Sequence, residues 1–256
     1  MVGVVALLAA PDPATALRLG VAMTALQASI GALNDIVDAP RDRGIKPGKP
    51  IPAGLVSDRS AWIVVIAAAV LGVGLSVPSG LGTAVLAVIV LGIGYGYDVL
   101  LKGTVWSWLP FAVGIPLLPV YGWLGMSGRL PGSFAILLPA AVIAGAALAV
   151  ANARADAERD AAAGIESAAT RLGLERSWLV NAGLLAAVVL FALATLTGRS
   201  PSAVVALGAL CAAGIIGVGV IVGRSTDSGR RERAWELEAV GVGLLATAWL
   251  AASLGQ

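Results

Sequence analysis

Eight apolar runs, at 15–33, 60–77, 80–97, 107–121, 133–151, 177–197, 201–222 and 237–254, constrain this chain more than any other feature. A helix needs about 20 apolar residues to cross a hydrocarbon core, and these runs are of that order. The second and fourth have the least sharply marked ends. Arg18 is the one charged side chain well inside any of them, and a guanidinium on a long stem can snorkel to the near surface. Composition agrees with the runs: 58% of residues are hydrophobic and 12% charged, where a soluble domain carries about a quarter charged residues. The expected fold is an all-α integral membrane protein, a bundle of about eight transmembrane helices around a central cavity. It forms one transmembrane domain over 1–256, with repeated four-helix halves at 1–132 and 133–256.

Absences narrow the chemistry. There is no histidine, which excludes His-based acid/base, His-metal and Ser-His-Asp mechanisms within this chain. The single Cys211 has no partner for an internal disulfide and sits in an apolar run, so it reads as packing. Nothing in the pattern points to nucleic acid.

The basic residues orient the spans. Arg41, Arg43, Lys46, Lys49, Arg59, Lys102, Arg154, Arg159, Arg171, Arg176, Arg224, Arg230, Arg231 and Arg233 all fall in alternate connections, which makes 14 of the 17 Lys and Arg. The opposite connections hold Arg129 and Arg199. By the positive-inside rule the first set is cytoplasmic and both termini face outward. Every Asp and Glu except Asp12 lies on the cytoplasmic side too. Trp62, Trp106, Trp108, Trp123, Trp178 and Trp235 lie near span ends, as interfacial aromatic belts do. Residues 2–10 are apolar but too short to span; they read either as a partly buried outer tail or as the last turns of a longer span.

Glycines recur inside spans, at 72 and 74, at 92, 94 and 96, at 214, 217 and 219, and at 241 and 243. Small residues let helix backbones approach closely in lipid, so tight packing explains them. Room for a bulky ligand is a further reading for 92–96, where Tyr95 and Tyr97 interleave.

One internal repeat carries chemistry. Asn34, Asp38 and Asp42 follow the first span, and Asn152, Asp156 and Asp160 follow the fifth, 118 residues later at all three positions. Four-residue spacing on a helix drifts by about 40° and rises about 6 Å, so each triad is expected to keep to one face. Four-helix halves with matching sites place the two clusters opposite one another. Carboxylate and amide oxygens suit a hard cation such as magnesium, which takes one or two carboxylates, waters and substrate phosphates. Pro40 removes a helix hydrogen bond between Asp38 and Asp42, so Asp42 is expected on a loosened turn. Asp35, off the common face, is placed to reach a second metal or a basic neighbour. A lone Asp here is ordinarily a solvated loop charge, but chance rarely repeats the whole triad at matching span ends.

A diphosphate among carboxylates also needs cations. Arg41, Arg43, Lys46 and Lys49 follow the first triad, and Lys102 ends the third span on the same side. Lys49 and Lys102 are the favoured partners, while Arg224, Arg230, Arg231 and Arg233 are explained by the positive-inside bias alone.

The segment NDIVDAPRDRGIKPGKPIPAG (34–54) resembles the first signature of the UbiA prenyltransferase superfamily, and NARADAERDAAAGIESAATRLG (152–173) is similar to its second. YDVLLKGT (97–104) looks like the family's connection carrying a Tyr and a diphosphate-facing Lys. The resemblance covers nearly the whole chain. It implies an intramembrane prenyltransferase with two magnesium ions on an allylic polyprenyl diphosphate, and an aromatic or lipid-like acceptor. By that analogy Asn34, Asp38 and Asp42 hold one ion, and Asn152, Asp156 and Asp160 the other. Asp35 is a further candidate ligand. Lys49 and Lys102 neutralise the diphosphate, with Arg43 and Lys46 as secondary candidates, and Asp38, Asp156 and Lys102 are the expected catalytic residues. The implied setting is a prokaryotic cell membrane with the site on the cytoplasmic side, in contact with lipid.

Two departures stand out. Family members have nine spans where eight are read here, and Lys46 and Lys49 stand where Arg is usual. A terpene cyclase of the same superfamily shares these motifs. A cation-coupled transporter is the reading from another class, but transporters place polar groups near the bilayer midplane, whereas these carboxylates lie at span ends.

Overall fold

The computed structural model describes residues 1–43, 48–199 and 201–253, and their regular secondary structure is helical throughout. The helices are α1 Val2–Ala9, α2 Pro13–Asp42, α3 Asp58–Ser76, α4 Leu81–Gly96, α5 Leu109–Ser127, α6 Phe134–Ala155, α7 Ala157–Ala162, α8 Ala168–Leu172, α9 Leu174–Thr197, α10 Ala203–Gly223 and α11 Ser228–Ser253. A 3₁₀ turn, Val77–Ser79, joins α3 to α4, and a π turn, Tyr97–Leu101, follows α4. Eight segments are long and apolar enough to span a membrane: α2, α3 with its 3₁₀ turn, α4 with its π turn, α5, α6, α9, α10 and α11. Each overlaps one of the eight apolar runs.

Local chemistry sets the helix starts. Asp12 caps α2 by accepting from Ala14 N at 3.1 Å and Thr15 N at 3.2 Å, with Pro13 at the first position, where its missing N–H costs nothing. Those bonds, led by Thr15, hold the Asp12 carboxyl below its usual range. Ser57 caps α3 through Ser60 N, Ser202 caps α10 through Val205 N, and Ser167 forms a capping box with Thr170 at α8.

The helices fall into two compact units. One comprises residues 2–102 and 119–130, which hold α1 to α4 and the second half of α5. Its centre is α2, packed against α1, α3 and α4. Glycines make these approaches possible: a Cβ on Gly72 would lie 2.6 Å from Leu26, and one on Gly94 would lie 2.4 Å from Ile30. Gly94 is therefore a packing glycine, and the neighbouring Tyr95 hydroxyl bonds Ser29 Oγ at 2.6 Å. Ser29 also donates to the Val65 carbonyl, and Ser76 bonds the buried Tyr121 hydroxyl at 2.6 Å. Arg18 reaches the turn that ends α3. It donates to the Leu75 carbonyl at 2.6 Å and to Ser79 Oγ at 3.0 Å, because the last turn of α3 offers carbonyls with no helical partner. Val2, Val5 and Ala6 of α1 are buried, and α1 packs on α2. Trp123 is 5% exposed and belongs to this core, not to an interfacial belt.

The other unit comprises residues 103–118 and 131–256 with Met1, and holds α6 to α11 and the first half of α5. There α6 packs on α9 and α11, and α10 pairs along α11. Gly145 lets α6 meet α5, since a Cβ there would lie 2.4 Å from the Phe111 carbonyl oxygen. Buried polar groups tie these helices. Asn181 donates to the Ala147 carbonyl at 3.0 Å and to Glu238 Oε2 at 3.1 Å. In an apolar surrounding such groups persist only when hydrogen-bonded.

Candidate functional site

The first triad sits on the last turns of α2. At 30 residues this helix rises about 45 Å, well beyond the roughly 30 Å hydrocarbon thickness. It continues through Pro40 to Asp42, and Asp38 and Asp42 are both buried at 8% exposure, so Asp42 does not lie on a loosened turn. Pro40 lies inside the helix at an exposed position and gives up one hydrogen bond there.

The chain returns at once to cover this end. Ile51 packs with Ala39 of α2 and Ala61 of α3, flanked by Ile36 and Val56. The turn beyond it closes through Ala53 N to Lys49 O, Gly54 N to Ile51 O and Leu55 N to Pro50 O. Gly54 takes φ 74°, a conformation that only glycine adopts without strain. Anchoring Ile51 brings Lys49 over the carboxylates: its Nζ lies 2.9 Å from Asp35, 3.4 Å from Asp38 and 2.8 Å from Asp42. The Asp35 interaction is with a basic neighbour.

Lys102 arrives from the other direction. The π turn Tyr97–Leu101 closes with Lys102 N bonded to Tyr97 O at 2.8 Å, and the Lys102 side chain then donates to Asp38 Oδ2 at 2.6 Å. Its ammonium also lies 6.0 Å from the centre of the Tyr97 ring. Asn34, one turn before Asp38, donates from Nδ2 to Asp98 Oδ1 at 2.7 Å. Asn34, Asp35, Asp38, Asp42, Lys49 and Lys102 are therefore gathered at one end of one unit, together with Asp98.

Electrostatics describe what this cluster can hold. Burial opposes the Lys49 charge, yet the hydrogen bonds to Asp42 and Asp35 and the field of Asp38 outweigh it and push the ammonium's pKa up. An ammonium stabilised by three carboxylates marks a place where a cation is favoured. The donors are hard oxygens, the set magnesium selects. Among the described residues no three carboxylates are spaced to enclose an ion unaided. That fits a metal whose shell is completed by water and phosphate oxygens. The residues present fit a magnesium–diphosphate site better than a bare protein cage.

The second triad differs from its expected form. Helix α6 ends at Ala155, Asp156 stands in a non-helical conformation (φ −98°, ψ 1°), and α7 restarts at Ala157. Asn152, Asp156 and Asp160 therefore do not share one continuous helical face. Asp156 pairs with Arg159, and Asp160 N bonds Asp156 O at 2.9 Å. The break is held by a residue assigned above to the surface. Arg231 of α11 is 1% exposed and donates to the Arg154 carbonyl at 2.7 Å, to Thr226 O at 2.7 Å, to Ser225 O at 3.2 Å and to Glu158. Arg231 is thus an internal clamp on the end of α6, because the carbonyls freed where a helix stops need donors. Arg154 itself is buried and donates to the Leu174 carbonyl at 3.3 Å.

Of the remaining candidates, Arg43 is exposed just past α2, and Lys46 lies outside the described residues. Asp98 and Arg231 were missed by sequence reasoning. Asp98 adjoins a Tyr in a segment already singled out, but a charge at the end of an apolar run looks solvated. Arg231 sits among three other arginines, and nothing local distinguishes the buried one.

Residues 1–251 match the model of the UbiA prenyltransferase family. In fold the chain is similar to the apo structure of a UbiA homolog from Aeropyrum pernix K1, at 20% identity and TM-score 0.79, over 96% of this chain and 93% of that one. A UbiA homolog from Archaeoglobus fulgidus bound to GPP and Mg2+ is similar at 17% identity and TM-score 0.70, over 98% of this chain and 94% of that one. A structure of a digeranylgeranylglyceryl phosphate synthase is similar at 16% identity and TM-score 0.71, over 100% of this chain and 92% of that one. No curated protein matches the sequence.

Proposed function

The chain belongs to the UbiA prenyltransferase family, and on that premise we propose that it moves a prenyl group from an allylic polyprenyl diphosphate to an aromatic or lipid-like acceptor within the membrane. The single observation that supports this most is Asp38, on which two ammonium groups converge: Lys102 at 2.6 Å and Lys49 at 3.4 Å. Carboxylates with lysines among them are what a metal–diphosphate complex needs. The structure of the Archaeoglobus homolog bound to GPP and Mg2+ supports the same substrate class and ion.

In this reading Asn34, Asp38 and Asp42 would hold one magnesium ion, with Asp35 beside them, and Asn152, Asp156 and Asp160 would hold a second. When bound, the ions neutralise charge that develops on the leaving diphosphate. Lys49 and Lys102 exchange carboxylate partners for diphosphate oxygens, with Arg43 and Lys46 further out. The C1–O bond of the allylic donor breaks and its electron pair leaves on the diphosphate. A nucleophilic atom of the acceptor bonds C1 and gives up its proton. Preorganised cations stabilise the leaving group without reorganising during the reaction, which is where the rate enhancement arises. The site faces the cytoplasm, where the basic residues concentrate.

The test is magnesium-dependent diphosphate release from dimethylallyl or geranyl diphosphate. Asp38→Ala and Asp156→Ala are each expected to lower turnover by about 10²–10³ or more while the protein stays monodisperse in detergent. Unchanged turnover in either variant overturns the metal assignment of its motif.

A further inference from the structure

Asp98 is 3% exposed, at the start of the π turn. Its Oδ1 accepts from Asn34 Nδ2 at 2.7 Å, and its Oδ2 is buried with no hydrogen-bond partner among the described residues. Lys102 attracts it electrostatically, while Asp38 and Asp35 repel it. A buried carboxylate with one oxygen unsatisfied is costly, so a chain that keeps one beside further carboxylates gains something else from it.

The amide of Asn34 has a donor end and an acceptor end, and only the acceptor can ligate a cation. Asp98 accepts and cannot donate when ionised. By taking the donor end it commits Asn34 Oδ1 to the other direction. We propose that Asp98 is a positioning residue of the first magnesium site, fixing the Asn34 amide so that its oxygen is the end presented to the ion. Partners outside the ligand shell commonly orient ligands in this way. The inference rests on reading the first triad as a magnesium site.

Mn2+ serves as the probe, titrated by EPR into detergent-solubilised protein with dimethylallyl diphosphate present. Asp98→Ala is expected to weaken Mn2+ binding by about 10–100-fold. Asp98→Asn retains an oxygen facing Asn34 and is expected to stay within about threefold of the parent. If Asp98 acts through Asn34, Asn34→Ala with Asp98→Ala binds Mn2+ no more weakly than Asn34→Ala alone. Asp98→Leu, which removes a buried charge, replaces Asp98→Ala in the same comparison should the alanine variant fail to fold. Parent-like Mn2+ binding in Asp98→Ala or Asp98→Leu overturns the proposal, as do additive losses in the double variant. Losses confined to Asp38→Ala sink only the Asp98 role. A parent protein that binds no Mn2+ sinks the magnesium reading with it.

Discussion

Lys49 is the residue on which the first cluster balances. Three carboxylates crowd one end of α2, and its ammonium bonds all three. With the side chain 22% exposed, deleting its charge is expected to cost roughly 1–3 kcal/mol, below the range for a fully buried pair. Lys49→Met should therefore melt lower than the parent in EDTA, and Mg2+ should narrow the gap by supplying the missing cation. The pH dependence has a definite sign. The folded pKa is raised above the ordinary 10.5, so the contribution is fully present below that value and is lost only as pH rises through the folded pKa. Melting temperatures measured from pH 6 to 9 should show a constant difference between the two proteins. A difference that vanishes by pH 8 would contradict the ion-pair account.

At the scale of elements, α2 and α6 end differently although their motifs match in spacing. α2 runs unbroken past its triad, and Ile51 packs the returning chain against Ala39. α6 breaks at Asp156, and Arg231 holds the break from α11. Removing that guanidinium takes the donor from the carbonyl of the buried Arg154, while the exposed Glu158 and Thr226 turn to water. Arg231→Met is expected to cost about 1–3 kcal/mol. Arg233→Met, at an exposed position of the same helix, is expected to change stability by less than about 0.5 kcal/mol. Thermal melts in detergent separate the two, and equal effects would return Arg231 to the positive-inside explanation.

At the scale of the molecule, span positions follow from hydropathy, and the charge distribution gives their sidedness as a prediction. In a Cys211→Ala background, Ser57→Cys and Ser225→Cys are expected to react with a membrane-impermeant maleimide from the cytoplasmic side, and Ser133→Cys from the opposite side. Labelling of all three from one side would reject the topology. Much of the candidate site was legible as well. The first triad, Lys49 and Lys102, which the fold gathers, were readable because their residue types and spacing are local patterns, whereas the helix break at Asp156 was not.

What the sequence by itself determined is what sums along the chain: eight apolar spans and the family signature. The tertiary structure alone decided which charges are buried and what answers them. Asp98 meets Asn34 from 64 residues away, and Arg231 meets the Arg154 carbonyl from 77. Arg18 and Trp123 likewise took their places from helices packed against them. Hydropathy is nearly additive over a window of neighbours, whereas a hydrogen bond needs two groups within about 3 Å, and only helix packing brings distant segments that close.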